Sequence, residues 1–140
     1  MKTYQHTQPG TTIINGMLVM ILIFAIGTVF LHQLIIATIL IPIVTWLFRS
    51  MTIEISDTEL TWYFGSGFPL KRVPLSEVVS AEPVRTTIWD GWGIHYTPRG
   101  WLYNVSGRGA VVITLRNGKR FCLGTDEPEV LARQLTSAKS

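Results

Sequence analysis

The chain has 140 residues and a formal net charge of +3; 47% of it is hydrophobic and only 15% charged, where soluble proteins average about 25% charged. That length fits one ordinary domain or a small domain with an appendage, and the clustered Lys and Arg of a nucleic-acid footprint are absent. A single cysteine, Cys122, excludes an intrachain disulfide framework and reads as a buried strand thiol.

Residues 1–11 read as a polar tail. Residues 12–48 contain no Asp, Glu, Lys or Arg, whereas all nine acidic residues and ten of the twelve basic ones fall within 50–139. As one helix the apolar block would be roughly 55 Å long, against a hydrocarbon core about 30 Å thick, so a break is expected. The polar pair His32-Gln33 supplies it, dividing the block into arms of about 12–31 and 34–48. A transmembrane hairpin over residues 12–49 follows. The second arm is only about 22 Å long and needs local thinning or help from flanking residues; a hairpin that dips into one leaflet is the alternative. No A-x-A-like site follows the block, so a cleaved signal peptide is not expected. Asn15, Thr38 and Thr45 are placed to hydrogen-bond across the hairpin, and Pro42 to kink its second arm. Lys2 and Arg49 flank the block, and the tip has no basic residue, so both ends are expected on the cytoplasmic side.

Beyond Arg49 the hydrophobic period becomes two. Met51, Ile53 and Ile55, then Leu60, Trp62 and Phe64, predict two half-buried strands joined at Asp57-Thr58. Gly65-Ser66-Gly67 permits a reversal into a strand over 68–75, with Pro69 and Pro74 favouring an edge position. An extended stretch follows a short turn at 76–78, and further strands are expected around 94–96 and 101–105. GAVVITLRNGKRFCLGT predicts a hairpin with Asn117-Gly118 as a type I′ turn. Asp126 is the expected N-cap of a terminal helix, with Glu129 completing a capping box and Leu131, Leu135 and Ala138 forming its apolar stripe.

The expected fold class is therefore α+β: a two-helix hairpin, then residues 50–140 as a curled antiparallel sheet or barrel capped by a C-terminal helix. The succession MTIEISDTELTWYFG, PLSEVVSAEPV and YNVSGRGAVVITLRNGKRFCLGTDEPEVLARQL, behind an N-terminal hydrophobic hairpin, resembles bacterial membrane proteins with a PH-like domain. The likeness covers nearly the whole chain and is most specific over residues 109–131. It implies a PH-like fold and an inner-membrane address, with the domain and N-terminus cytoplasmic, and no assigned reaction.

The lipid-binding loop of eukaryotic PH domains corresponds to Ser56-Asp57-Thr58-Glu59, where two carboxylates repel a phosphorylated headgroup. Phosphoinositide recognition is therefore not carried over. Lys71 and Arg72, with Arg49, offer a modest basic patch for anionic lipid, each group contributing on the order of 1 kcal/mol. His6, His32 and His95 fall in a tail, a tip and a strand, and no H-x-x-x-H, C-x-x-C or phosphate-loop pattern occurs. Asp90 near His95 is only a loose pairing, so no catalytic residue, cofactor or metal is expected. Asn104-Val105-Ser106 matches a glycosylation acceptor that a cytoplasmic domain leaves unused.

Residues 89–111 concentrate three tryptophans and five glycines. Three readings compete: a packed sheet corner, in which glycine makes room for neighbouring rings; a membrane-interface loop; and a protein-binding groove anchored by Trp92, Arg99 and Trp101. The expected function is a non-enzymatic, membrane-tethered module that binds a protein partner or copies of itself. The alternative is a lipid-surface sensor using residues 89–103, Trp89 among them, together with Lys71 and Arg72.

Overall fold

In a computed structural model, residues 2–30, 34–65, 67–91 and 93–138 of the chain are described. They form an α+β fold. Strand β1 (Lys2–Pro9) leads into helix α1 (Thr11–Phe30), helix α2 (Ile35–Leu47) and strands β2 (Ser50–Ser56), β3 (Glu59–Phe64) and β4 (Leu70–Pro74). Strands β5 (Val78–Arg85), β6 (Gly93–Thr97), β7 (Gly100–Asn104), β8 (Gly109–Leu115) and β9 (Arg120–Gly124) follow, and helix α3 (Pro128–Ser137) ends the chain. One sheet has the order β1-β2-β3-β4 and the other β5-β8-β9-β7-β6.

The expected tail over 1–11 is instead largely a strand. β1 pairs antiparallel with β2 from Lys2 opposite Ser56 to Pro9 opposite Ser50. Its sequence, KTYQHTQP, carries no apolar alternation because it lies at the sheet edge, where backbone pairing rather than side-chain burial recruits it. Two hydroxyls reinforce the pair, Thr7 Oγ1 lying 2.8 Å from Thr52 Oγ1.

α1 is long and apolar enough to cross a membrane; α2, at 13 residues, is shorter. Against expectation, Thr38 and Thr45 do not bridge the two helices. Their hydroxyls donate to Leu34 and Ile41 carbonyls one turn back in their own chain segment, the usual outlet for a hydroxyl among apolar neighbours. The His32-Gln33 tip lies outside the described residues.

The period-two segments pack as their pattern requires. Met51, Ile53 and Ile55 of β2 and Leu60, Trp62 and Phe64 of β3 meet Val111, Ile113, Phe121 and Leu123 of the second sheet, with Leu131 and Leu135 of α3 closing the core. Trp62 stacks on Phe121 at 4.9 Å and meets Tyr103 edge-on at 5.3 Å. Such pairs contribute about 0.5–1.5 kcal/mol beyond their buried area.

Three local expectations are corrected. The second sheet is mixed rather than antiparallel, because β7 runs parallel to β9, with Leu102 opposite Cys122. Gly118 has a positive φ of 79°, but among the described residues none other than glycines has one, Asn117 included, so the 117–118 turn is not type I′. Gly118 N–H donates to the Leu115 carbonyl and Leu115 N–H to that of Lys119, the pattern of a three-residue loop with glycine in the left-handed position. The N-cap of α3 is Glu127, not Asp126, and it makes no side-chain capping bond; Pro128 opens the helix with a fixed φ and no N–H to satisfy. The Asp126 carboxylate is engaged elsewhere, its Oδ1 lying 2.5 Å from His6 Nε2 on β1.

Candidate functional site

The junction between helices and sheet organises one end of the molecule. Pro9 and Ser50 are the last register pair of β1 and β2, and Gly10 N–H continues the ladder by donating to the Arg49 carbonyl at 2.7 Å. α1 and α2 therefore leave from adjacent strands, with only Gly10 on one side and Phe48-Arg49 on the other between helix and sheet. Phe48, just past α2, meets Phe64 of the core edge-on at 5.1 Å, and Ile13 of α1 also packs against the core. On the other side of α1, the hydroxyls of Thr11 and Thr12 lie 3.0 and 2.9 Å from that of Ser106, and Gln8 Nε2 donates to the Ser106 carbonyl at 2.8 Å.

Two loops surround this exit. The β3–β4 turn tucks beneath α2: Gly65 has a φ of 49°, and a Cβ there would run into the Leu47 carbonyl oxygen. The turn then presents Phe68, 71% exposed, and Leu70 to the outside. On the opposite flank, Gly93 lines an apolar cavity of about 360 Å³ together with Ile13, Met17 and Met20 of α1 and Val44 and Phe48. Trp89, in the short helical turn Ile88–Asp90 just before it, is 96% exposed. Trp46 and Arg49 complete the ring, the guanidinium lying 5.0 Å from the indole centroid, within the range of a cation–π contact.

Trp89 is therefore exposed and not in a packed corner. Its turn is held by Asp90, whose carboxylate accepts from Thr87 N–H at 2.6 Å and from the Thr87 hydroxyl at 3.0 Å. The backbone bond is the main reason the Asp90 carboxyl lies below the ordinary carboxylate range. Arg99 and His95 lower it further by charge, while the His95 Nε2 is buried with no hydrogen-bond partner among the described residues.

The remaining aromatic residues lie farther out. Register pairs Gly93 with Asn104 but Tyr96 with Trp101, placing the second pair about 10 Å along the strands from Gly93. Tyr96 and Trp101 are both exposed and meet edge-on at 5.8 Å. With Pro98, Lys119 and Arg120 they line an open cleft of about 480 Å³. Arg99 sits in the adjoining β6–β7 turn, its carbonyl facing the Cys122 thiol at 3.9 Å; burial pushes that thiol's pKa up. Of the expected site residues, Trp101 lines the cleft, Arg99 lies in the adjoining turn with its charge acting on Asp90 beside Trp89, and Trp92 lies outside the described residues.

Lys71 and Arg72 are exposed on β4, opposite Trp62 and Thr61, directly after the Phe68 turn. Reading the sequence alone passed over Phe68 and Leu70, which adjoin prolines and glycines rather than a periodic pattern. The nearby Trp46 and Arg49 at the end of the apolar run were the available signal, an aromatic and a cation being enriched together at membrane boundaries in general.

No family model matches the chain, and no curated protein and no solved structure is significantly similar to it.

Proposed function

We propose that the chain is a non-enzymatic membrane module of PH-like design, seated on the bilayer at a fixed attitude by its helical hairpin and presenting a partner-binding cleft away from it. The reading of α1 and α2 as a bilayer-embedded hairpin is supported by their exposed apolar surface: Leu22 is 63% and Ile36 70% exposed, and so large an apolar patch is stable in water only when covered. The PH-like reading is supported by the two sheets and by α3 packed on β5 and β8. Positive-inside charge at Lys2 and Arg49 favours a cytoplasmic domain at an inner membrane.

The observation that carries the proposal is the exposed apolar surface of α1 and α2 together with two bare rings, Trp89, 96% exposed, and Phe68, 71% exposed on the turn packed beneath α2. An indole so exposed gains from lying among headgroups, with its ring in the apolar boundary, and Phe68 and Leu70, next to the turn beneath α2, offer a second foot. Lys71 and Arg72 start one residue from that foot and reach toward anionic lipid. In vesicles with brominated acyl chains, the tryptophan emission of the full chain should be quenched, and Trp89→Phe should lower the quenched fraction without changing the melting temperature. An unchanged quenched fraction would overturn the lipid contact.

A specific observation favours a protein partner at the other site. The exposed Tyr96–Trp101 pair, flanked by Lys119 and Arg120, has the aromatic-plus-cation composition of interface anchors and suits a partner with an acidic rim. Crosslinked co-purification from intact membranes should lose that partner in Trp101→Ala and keep it in Trp89→Ala. Equal partner sets in all three proteins would exclude the cleft.

A further inference from the structure

A second cavity, of about 650 Å³, opens between the ends of β5 and β8 and the start of α3, lined among others by Arg85, Gly107, Arg108, Asp126, Pro128 and Glu129. We propose that it is a binding site for a phospholipid headgroup that joins a phosphate to a primary ammonium. This rests on the reading of α1 and α2 as bilayer-embedded.

Position comes first. The cavity wall at Gly107 and Arg108 continues directly from Ser106, whose hydroxyl meets Thr11 and Thr12 in the first turn of α1. The cavity is thus tied to the point where the chain enters the apolar helices, the depth at which headgroups lie. Arg85 ends β5 opposite Gly109, and Arg108 immediately precedes that residue. Thr86 clamps the two arms together, its N–H and hydroxyl donating to the Arg108 carbonyl at 2.7 and 3.2 Å. Both guanidiniums therefore hang from one rigid ladder end and are exposed.

Chemistry decides the class of ligand. Two guanidinium forks match phosphate oxygens in bidentate fashion, but the opposite wall carries the carboxylates of Asp126 and Glu129. His6 Nε2 already approaches Asp126, which orients that carboxylate. A polyanionic headgroup would meet those carboxylates at a cost, whereas an ammonium group is drawn to them. A primary ammonium has three N–H donors for the two carboxylates; a trimethylated one has none. Phosphoethanolamine lipid fits both walls, and phosphocholine lipid only one.

The full chain, reconstituted into nanodiscs of equal phosphatidylethanolamine, phosphatidylcholine and phosphatidylglycerol and then extracted in mild detergent, should retain phosphatidylethanolamine about tenfold over phosphatidylcholine by native mass spectrometry. Arg85→Gln with Arg108→Gln should abolish retention, and Glu129→Gln should shift it toward phosphatidylglycerol; neither variant should change the melting temperature. Preferential retention of phosphatidylglycerol by the wild type, or equal retention of all three lipids, overturns the proposal. Binding of soluble phosphoethanolamine without lipid preference overturns the assignment to the bilayer. Quenching of Trp89 by brominated lipid in the same nanodiscs separates the two failures: with quenching intact and no lipid preference, only the headgroup site fails; without quenching, the seating of the domain fails as well.

Discussion

The Gly10 N–H donates to the Arg49 carbonyl at 2.7 Å, and this bond joins the two ends of the apolar helices as a continuation of the β1–β2 ladder. A Cβ at Gly10 would lie 2.7 Å from the Phe48 carbonyl oxygen and 2.9 Å from that of Arg49. Gly10→Ala should therefore force the helix bases apart and cost about 1–3 kcal/mol. At Gly16 an added Cβ meets nothing within 4 Å, so Gly16→Ala should leave stability within about 1 kcal/mol or raise it through better helix propensity. Thermal unfolding of the two variants in the same detergent checks the contrast.

Strand β1 should report on pH through Tyr4. Burial first, and then the Glu127 carboxylate that accepts its hydroxyl at 3.4 Å, push the Tyr4 phenol from 10.0 up to about 12. The folded chain therefore holds the phenolic proton more tightly than the unfolded chain does. This contribution to stability is complete below pH 10.0 and is lost as pH rises toward about 12. Urea denaturation across that window should show a fall in stability that is smaller in Tyr4→Phe; identical slopes in the two proteins would exclude the Tyr4–Glu127 contact.

Trp62 is the centre of the inter-sheet aromatic cluster. Truncation to Ala removes its contacts with Phe121 and Tyr103 and should cost about 3–5 kcal/mol. Trp62→Phe should cost less than truncation, because the Trp62 Nε1 is buried with no hydrogen-bond partner among the described residues and its loss sacrifices no bond. Denaturant midpoints of the two variants test the order.

Cys122 should resist a maleimide in the folded chain, since it is buried between β7 and β8 and its raised pKa keeps the thiol protonated. Labelling is expected to begin only at denaturant concentrations that unfold the domain. Rapid labelling in buffer would contradict the pairing of Leu102 with Cys122.

Much of this fold is legible in residue order where burial imposes a period. Met51-Ile53-Ile55 and Leu60-Trp62-Phe64 each point alternate residues at the core, and α3 carries Leu131 and Leu135 at helical spacing. β1 left no such trace: its partner β2 lies some forty residues away, and its register is set by backbone bonds. The parallel β7–β9 contact has no local signature either, because it joins strands separated by the β8 segment. The candidate site was half legible. Composition alone marks residues 89–103 as unusual, but only the register brings Tyr96 opposite Trp101 in the cleft. Arg85 and Arg108 gave no signal, being isolated cations 23 positions apart that the β5–β8 ladder brings together.

Seating at a fixed attitude is tested most directly by site-directed spin labelling of the full chain in vesicles. Nitroxides are placed one at a time at Phe68→Cys, Trp89→Cys and Asn117→Cys in a Cys122→Ser background. The predicted result is high accessibility to oxygen and low accessibility to an aqueous nickel chelate at positions 68 and 89, with the reverse at 117, at the far end of the β8–β9 hairpin. Aqueous accessibility at 68 and 89 equal to that at 117 would contradict it.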